Sequence, residues 1–298
     1  MSIPLFDAHC DTIVAADNLR KNSAQLDLER LRKFSPSAQV FAICTEFLEN
    51  ASQGADVYLE KLKSEIKMNS DIVSLCLNSK DLDNAVRDNK IAAFISVEGA
   101  EQISALEEAY EAGVRIIHPT WNFDNTICGA QMASGTGLTE YGREFVHKAQ
   151  KLGILLDMSH ISECGFWDVI EISGKPIIAG HSNSKSLCNH PRNLSDAQFK
   201  ALIKCGGGAG INLCPDFLGF KRDINAIIAH IEHFLSLGGE KAVFLGCDFD
   251  GIEITPKGII GIEDLEKLYE ALLKINYPES LVRDIFFNNL CEIIRRTL

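Results

Sequence analysis

The chain lacks any long hydrophobic run and any excess of basic charge. None of its apolar stretches approaches the ~18 residues that a membrane-crossing helix needs, so no spanning segment is expected. Lys and Arg number 29 against 41 Asp and Glu, a formal net charge of −12 over 298 residues. Nucleic acids and anionic membrane surfaces are bound through clustered Lys and Arg, so neither is expected as a partner. A basic, apolar leader is also missing: the first charged residue is Asp7. No CxxC pair occurs. The ten cysteines are scattered, several of them inside apolar runs (Cys44, Cys76, Cys205, Cys247). They read as reduced thiols, mostly core filler, in a cytoplasmic protein. Finally, no GxGxxG or P-loop follows any apolar segment. The glycine run "CGGGAG" at 205–210 comes before and within one, the wrong side for phosphate binding.

What the chain does have is a repeated alternation of short apolar runs with helical patterns. The candidate strands are 3–9, 39–46, 91–97, 114–120, 153–159, 176–181, 208–213 and 242–248. Several are almost continuously apolar, as parallel strands covered on both faces must be. Helical patterns fill the gaps, with Ser195 and Asp196 opening one helix and Gly113, Gly153 and Gly238 ending others. Strands followed by helices in this number predict an α/β fold, a (β/α)8 TIM-type barrel, over a doubly wound open sheet. The expected organisation is a single domain over 1–298. It carries a helical insertion around 47–90 and C-terminal helices over 262–298.

In such a barrel the active site lies at the C-terminal ends of the strands. There the sequence places His9 and Asp11 ("DAHCDT"), Glu98 ("FISVEGA"), His160 ("LLDMSH"), His181 ("IIAGHSN") and Asp248 ("FLGCDFD"). Side chains two apart on a strand share a face, so His9 and Asp11 are expected to point together into the mouth. Asp7 would sit one step deeper, orienting a ligand. Imidazoles with carboxylates suit zinc or a similar divalent ion, and a carboxylate such as Glu98 can bridge two. Burying these groups unpaired would be costly, a penalty that a metal removes. Asp250 reads as a turn residue before Gly251, and His190 as loop. His147, His230 and His233 fall in helical patterns and are expected at the surface. His118 lies within a strand, facing either the core or the ligands.

These motifs, taken with "GVRIIHPTWNFDN", "PIIAGHSNSKSLCNHPRNLSD" and "GGAGINLCPDFLG", resemble the membrane (renal) dipeptidases, zinc peptidase family M19, in order from about residue 5 to 251. The resemblance implies a (β/α)8 barrel with two zinc ions. His9 and Asp11 would hold one, His160 and His181 the other, and Glu98 would bridge them. It assigns the proton-handling acid to Asp248 and the arginine that pairs with the substrate's terminal carboxylate to Arg192. A guanidinium fork suits that role because it engages both oxygens at once. Two positions depart from the family pattern. Trp121 stands where many members have a histidine that helps bind the substrate carbonyl, and Trp121 offers only an indole N–H. Cys214 replaces a tyrosine.

The function so implied is hydrolysis of the amide bond of small dipeptides that have a free C-terminal carboxylate, including ones with a D-residue second. Two zinc ions would activate a water and polarise the carbonyl. Asp248 would take the water's proton and deliver it to the leaving amine. The altered Trp121 and Cys214 motivate an alternative on the same centre, an N-acyl amino acid deacylase or another small-amide hydrolase. A third reading, a non-catalytic metal-binding protein on a retired barrel, predicts decay of the metal positions, and all five are intact. Members of the family often pair as dimers, so the resemblance allows a homodimer, although no seam can be read from these residues.

Overall fold

The computed structural model describes residues 2–45 and 54–298. Among them are nine strands: β1 (Leu5–Cys10), β2 (Ser37–Ile43), β3 (Val73–Leu75), β4 (Ile91–Glu98), β5 (Val114–His118), β6 (Leu155–Asp157), β7 (Ile177–Ala179), β8 (Gly208–Ile211) and β9 (Val243–Leu245). All pairings between them are parallel. β1 pairs with both β2 and β9, and β2 pairs with β4, so eight strands close on themselves as a barrel. Each of the eight apolar runs read from the sequence supplies one of its strands.

β3 is the addition. It lies in the 47–90 insertion, between helices Gly54–Met68 and Ser79–Arg87, and pairs only with the start of β4. A three-residue strand with a single apolar-buried position gives almost no periodic signal, which is why the sequence does not announce it. The first residues of that insertion, 47–53, lie outside the described residues, as does Glu46 at the end of the second candidate strand.

Alternation along the strands divides the core in two. Phe6, Ala38, Phe94, Ile116, Leu155, Ile178 and Phe244 fill the barrel interior. The closing helix, Asn289–Thr297, plugs its lower end with Leu290, Ile293 and Ile294, just after Phe287, whose ring meets Phe6 at 6.0 Å. The other faces of the strands pack outward against the helices. With its lower end plugged, the interior opens only where the strands end, and the polar residues singled out above are gathered there.

Strand β1 breaks the simple alternation. Phe6 stacks on Phe94 inside the barrel, with ring centroids 5.7 Å apart, so Asp7 faces the other way. Strict alternation would send His9 with it. The pairing of β1 with β2 slips between Asp7 and Cys10, and this bulge turns His9 inward. Asp7 therefore does not share a face with His9 as the sequence suggested. Its carboxylate accepts hydrogen bonds from Gln39 Nε2 (2.8 Å) and the Cys247 backbone N–H (2.7 Å), tying β1 to its neighbours on both sides.

Candidate metal centre

Five strand ends deliver the centre. Glu98 closes β4, His9 lies within the bulge of β1 and Asp11 just after it. His160 and His181 follow β6 and β7 by two to three residues, and Asp248 follows β9 by three. All are buried. The two oxygens of Glu98 face two separate sets of donors. Its Oε1 lies 2.7 Å from His160 Nε2 and 3.3 Å from His181 Nε2. Its Oε2 lies 3.7 Å from His9 Nε2, which is 3.2 Å from Asp11 Oδ2 and 3.8 Å from Asp248 Oδ1.

These spacings test whether a divalent ion fits. The Nε2 atoms of His160 and His181 stand 3.0 Å apart with Glu98 Oε1 against both. Ligand atoms about 2.0–2.2 Å from a common tetrahedral ion are separated by about 3.3–3.6 Å, so this trio is close to a ligand face already. His160 donates from Nδ1 to Asn122 Oδ1 (2.9 Å), which turns the Nε2 lone pair toward Glu98. Burial, the cationic Arg192 and the His118 imidazole hold His160 in its neutral, ligating form, with a pKa lowered to about 3. Burial, followed by His9, likewise lowers that of His181. Burial also disfavours charge on His9, but the carboxylates of Glu98 and Asp11 overcome it and raise its proton affinity. A proton is the smallest cation that this second set can attract, and a divalent ion satisfies the same field. The residues present fit the group.

Asp248 differs from the other carboxylates. Burial first, then the negative charges of Asp11 and Glu98, push its pKa up to about 7. Its Oδ2 accepts a hydrogen bond from Asn212 Nδ2 (2.9 Å), leaving Oδ1 toward His9. Asp248 and Asp250 both have left-handed backbones, φ +63° and +67°. Such a conformation costs a non-glycine residue about 1–3 kcal/mol. Asp250 recovers part of this by accepting from Thr12 Oγ1 (2.5 Å) and the Gln25 backbone N–H (2.6 Å), which clamps the β9 loop to the β1 loop. Gly251 follows. A Cβ there would lie 2.3 Å from Asp11 Oδ2 and 2.5 Å from Asp248 Oδ1, so the backbone can pass between these carboxylates only as glycine.

Arg192 is placed deeper than the sequence implied. Its Nη2 stands 2.8 Å from His160 Nε2 and 3.0 Å from His181 Nε2, while Nη1 donates to the Ser159 carbonyl. Above it opens a cavity of about 580 Å³, whose lining includes Asp11, Glu98, His160, His181, Arg192 and Asp248. Trp121 and Cys214 line it as well, so both departures from the family pattern face this cavity. His190, read as loop, lines it too, and its Nδ1 accepts from the Arg192 backbone N–H (3.2 Å).

Several contributors were not identified from sequence. Asn122 and Asn212 touch His160 and Asp248 directly, yet a lone asparagine in a loop carries no signal of its own. His118 proves to face the interior, 3.7 Å from Glu98 Oε1 and 3.5 Å from Asp157 Oδ2. Asp157 Oδ1 accepts from Ser159 and from the Gly180 N–H (2.8 Å), holding together the loops that carry His160 and His181. A Cβ at Gly180 would lie 2.0 Å from Asp157 Oδ2. His230, expected at the surface, is 1% exposed and accepts from the Ser184 backbone N–H (3.1 Å) through Nδ1. The helix Ile224–Ser236 is apolar enough to bury this ring because Ser184 and the Leu218 carbonyl meet both its nitrogens. His147 is exposed and His233 pairs with Asp196 at 2.8 Å.

Comparison with known proteins finds metallo peptidases of similar fold. A model of the membrane dipeptidases, peptidase family M19, matches residues 1–297. An uncharacterized protein of the pqqA 5′ region in Klebsiella pneumoniae is 31% identical over 251 residues, 78% of this chain and 92% of its own length. Among solved structures, dipeptidase AC, a metallo peptidase of family M19, superposes with a TM-score of 0.89 at 27% identity, over 100% of this chain and 99% of that one. A metallo peptidase from Rhodobacter sphaeroides, bound to a phosphinate mimic of the dipeptide L-Ala-D-Ala, gives 0.89 at 26% identity over 100% of both chains.

Proposed function

The chain belongs to the membrane dipeptidase family, peptidase family M19, and on that premise we propose that it hydrolyses the amide bond of small dipeptides at a two-metal centre. The observation that carries the reading is Glu98. Its two carboxylate oxygens face two different donor sets, His160 with His181 and His9 with Asp11, as a bridging ligand must. The buried acids at the mouth, Asp11, Glu98 and Asp248, crowd negative charge around the imidazoles, a field that divalent cations neutralise. Imidazole nitrogen with carboxylate oxygen suits zinc among the common divalent ions.

Bound divalent ions lower the pKa of water toward neutrality and polarise a carbonyl. The chain's own residues do the rest. Asp248 is held by Asn212 through Oδ2, so Oδ1 takes the proton from the attacking water and returns it to the leaving amine. The raised proton affinity of Asp248 suits a group that must both accept and release a proton near neutral pH. Arg192 shares the lone pairs of His160 and His181, which a cation would also claim. With those taken, its Nη2 turns to another acceptor, and in this cavity that acceptor is the free carboxylate of the substrate. The buried guanidinium thus selects substrates with a C-terminal end.

A second reading, an N-acyl amino acid amidohydrolase on the same centre, is favoured by Trp121, which lines the cavity. A panel of unblocked dipeptides and acyl amino acids, with metal content measured on the same sample, separates the two. The expected result is about two zinc per chain and turnover on dipeptides. Full metal loading with no turnover on any amide overturns both. Among the described residues no helix is long and apolar enough to cross a membrane. The cysteines, scattered and mostly buried or half-buried, fit a reducing compartment, and a cytoplasmic location is part of the proposal.

A further inference from the structure

The cavity has a polar floor, and the aromatic residues of its lining are not spread evenly. The carboxylate anchor, Arg192, lies in the His160–His181 half. Two aromatic residues from different loops stand beside it. Phe217, after β8, has its ring centroid 5.6 Å from the Arg192 guanidinium and packs on His190 at 4.5 Å. Trp121, after β5, lies 6.3 Å from the His160 ring and meets Phe123 edge-on at 5.5 Å. Met132, half exposed, continues the Trp121 side of the lining. The charged rim residues lie elsewhere or are spoken for: Arg222 is joined to Asp216 at 2.8 Å, and Glu253 belongs to the β9 loop beside Ile252 and Ile254.

From this placement we propose that the protein selects substrates whose C-terminal residue carries an aromatic or large aliphatic side chain, and that Phe217 is a specificity-determining residue for that side chain. The inference rests on the reading of Arg192 as carboxylate anchor and applies to dipeptides and acyl amino acids alike. The C-terminal side chain leaves the carbon that bears the carboxylate. A carboxylate on Arg192 therefore places the side chain's root, one bond from the carboxylate carbon, in the half of the cavity that Phe217 and Trp121 line. Cys214, in the same lining, is short, which widens the space available to a ring. A charged side chain placed there would lose water and find no free partner of opposite sign among these groups.

The test uses the metal-loaded enzyme and the series Ala-Ala, Ala-Leu, Ala-Phe, Ala-Asp and Ala-Lys, with both configurations at the second residue. Burying a phenyl ring in place of a methyl group is worth about tenfold to a hundredfold in kcat/KM. Ala-Phe and Ala-Leu should exceed Ala-Ala by that factor, and Ala-Asp and Ala-Lys should fall below it. In Phe217→Ala the Ala-Phe to Ala-Ala ratio should drop at least fivefold. Binding of free phenylalanine, alanine and aspartate, measured by calorimetry, reads the same subsite without turnover. Cleavage with a flat profile, or one favouring charged residues, overturns the inference and leaves the hydrolase reading standing. No cleavage of any dipeptide, with phenylalanine still bound at least tenfold more tightly than alanine, overturns the dipeptidase reading and supports the subsite. Equal binding of the three amino acids overturns the subsite in either case.

Discussion

Below neutral pH, His230 should become a measurable source of instability. Its ring is buried in the helix Ile224–Ser236 and uses Nδ1 as an acceptor for the Ser184 N–H, three residues beyond His181. Burial lowers its pKa to about 4, against an ordinary value near 6.5. The unfolded chain therefore binds a proton between these limits and the folded chain does not. Stability is unaffected above pH 6.5, falls as the pH drops, and has lost the whole term below pH 4. The full term is about 3 kcal/mol, of which about 2 kcal/mol is already lost at pH 5. With a urea slope of about 3 kcal/mol/M, the midpoint moves by about 0.7 M. The control is His230→Asn, which keeps an acceptor near the Nδ1 position and cannot titrate. Urea unfolding of both proteins at pH 7.5 and pH 5, at matched metal content, isolates the residue from the other buried histidines, whose contributions are common to both. The wild-type protein should lose about 2 kcal/mol relative to the variant between the two conditions. An unchanged gap would refute the picture of a neutral, buried acceptor that tethers the β7 loop.

Four further outcomes follow from the centre. Asp248→Asn should retain metal and lose turnover by about 10²–10⁴, as expected for a general base; near-normal kcat refutes the assignment. Asn122→Leu removes the acceptor for His160 Nδ1 and should weaken metal binding about 10–100-fold in a chelator competition, with unfolding little changed. Arg192→Met should move two readouts in opposite directions. Metal should bind more tightly because a donor competing for His160 and His181 is gone, and kcat/KM should fall by about 30-fold to 1,000-fold because the carboxylate loses a buried cation. Gly251→Ala drives a methyl group into Asp11 and Asp248 and should lose metal and activity together, read by elemental analysis and a dipeptide assay.

Much of the architecture was legible because it rests on local pattern. Apolar runs of strand length between helical stretches give all eight barrel strands, and acids or imidazoles at five of their C-terminal ends mark the mouth. The capping box at Ser195 and Gln198 and the left-handed Gly153 show the same local determinism at helix ends. The misses share a cause as well. Asp7 was paired with His9 because alternation is a property of regular strands, and a bulge is set by how β1 registers against its neighbour. His230 was assigned to the surface because a histidine in a helix is ordinarily solvated. What buries it is a backbone N–H from a loop 46 residues earlier. Asn122 and Asn212 could not be singled out because their partners, His160 and Asp248, are 38 and 36 residues away.

The chain by itself determined which strand ends carry acids and imidazoles, since strand ends are written in consecutive residues. Only the closed barrel decided how they meet: which oxygen of Glu98 faces which imidazole, that Arg192 reaches the same lone pairs a metal needs, and that Trp121 and Phe217 line one cavity with Arg192. Those are distances between segments far apart in sequence. They are set by barrel closure and by packing on both faces of the sheet, which no local pattern encodes.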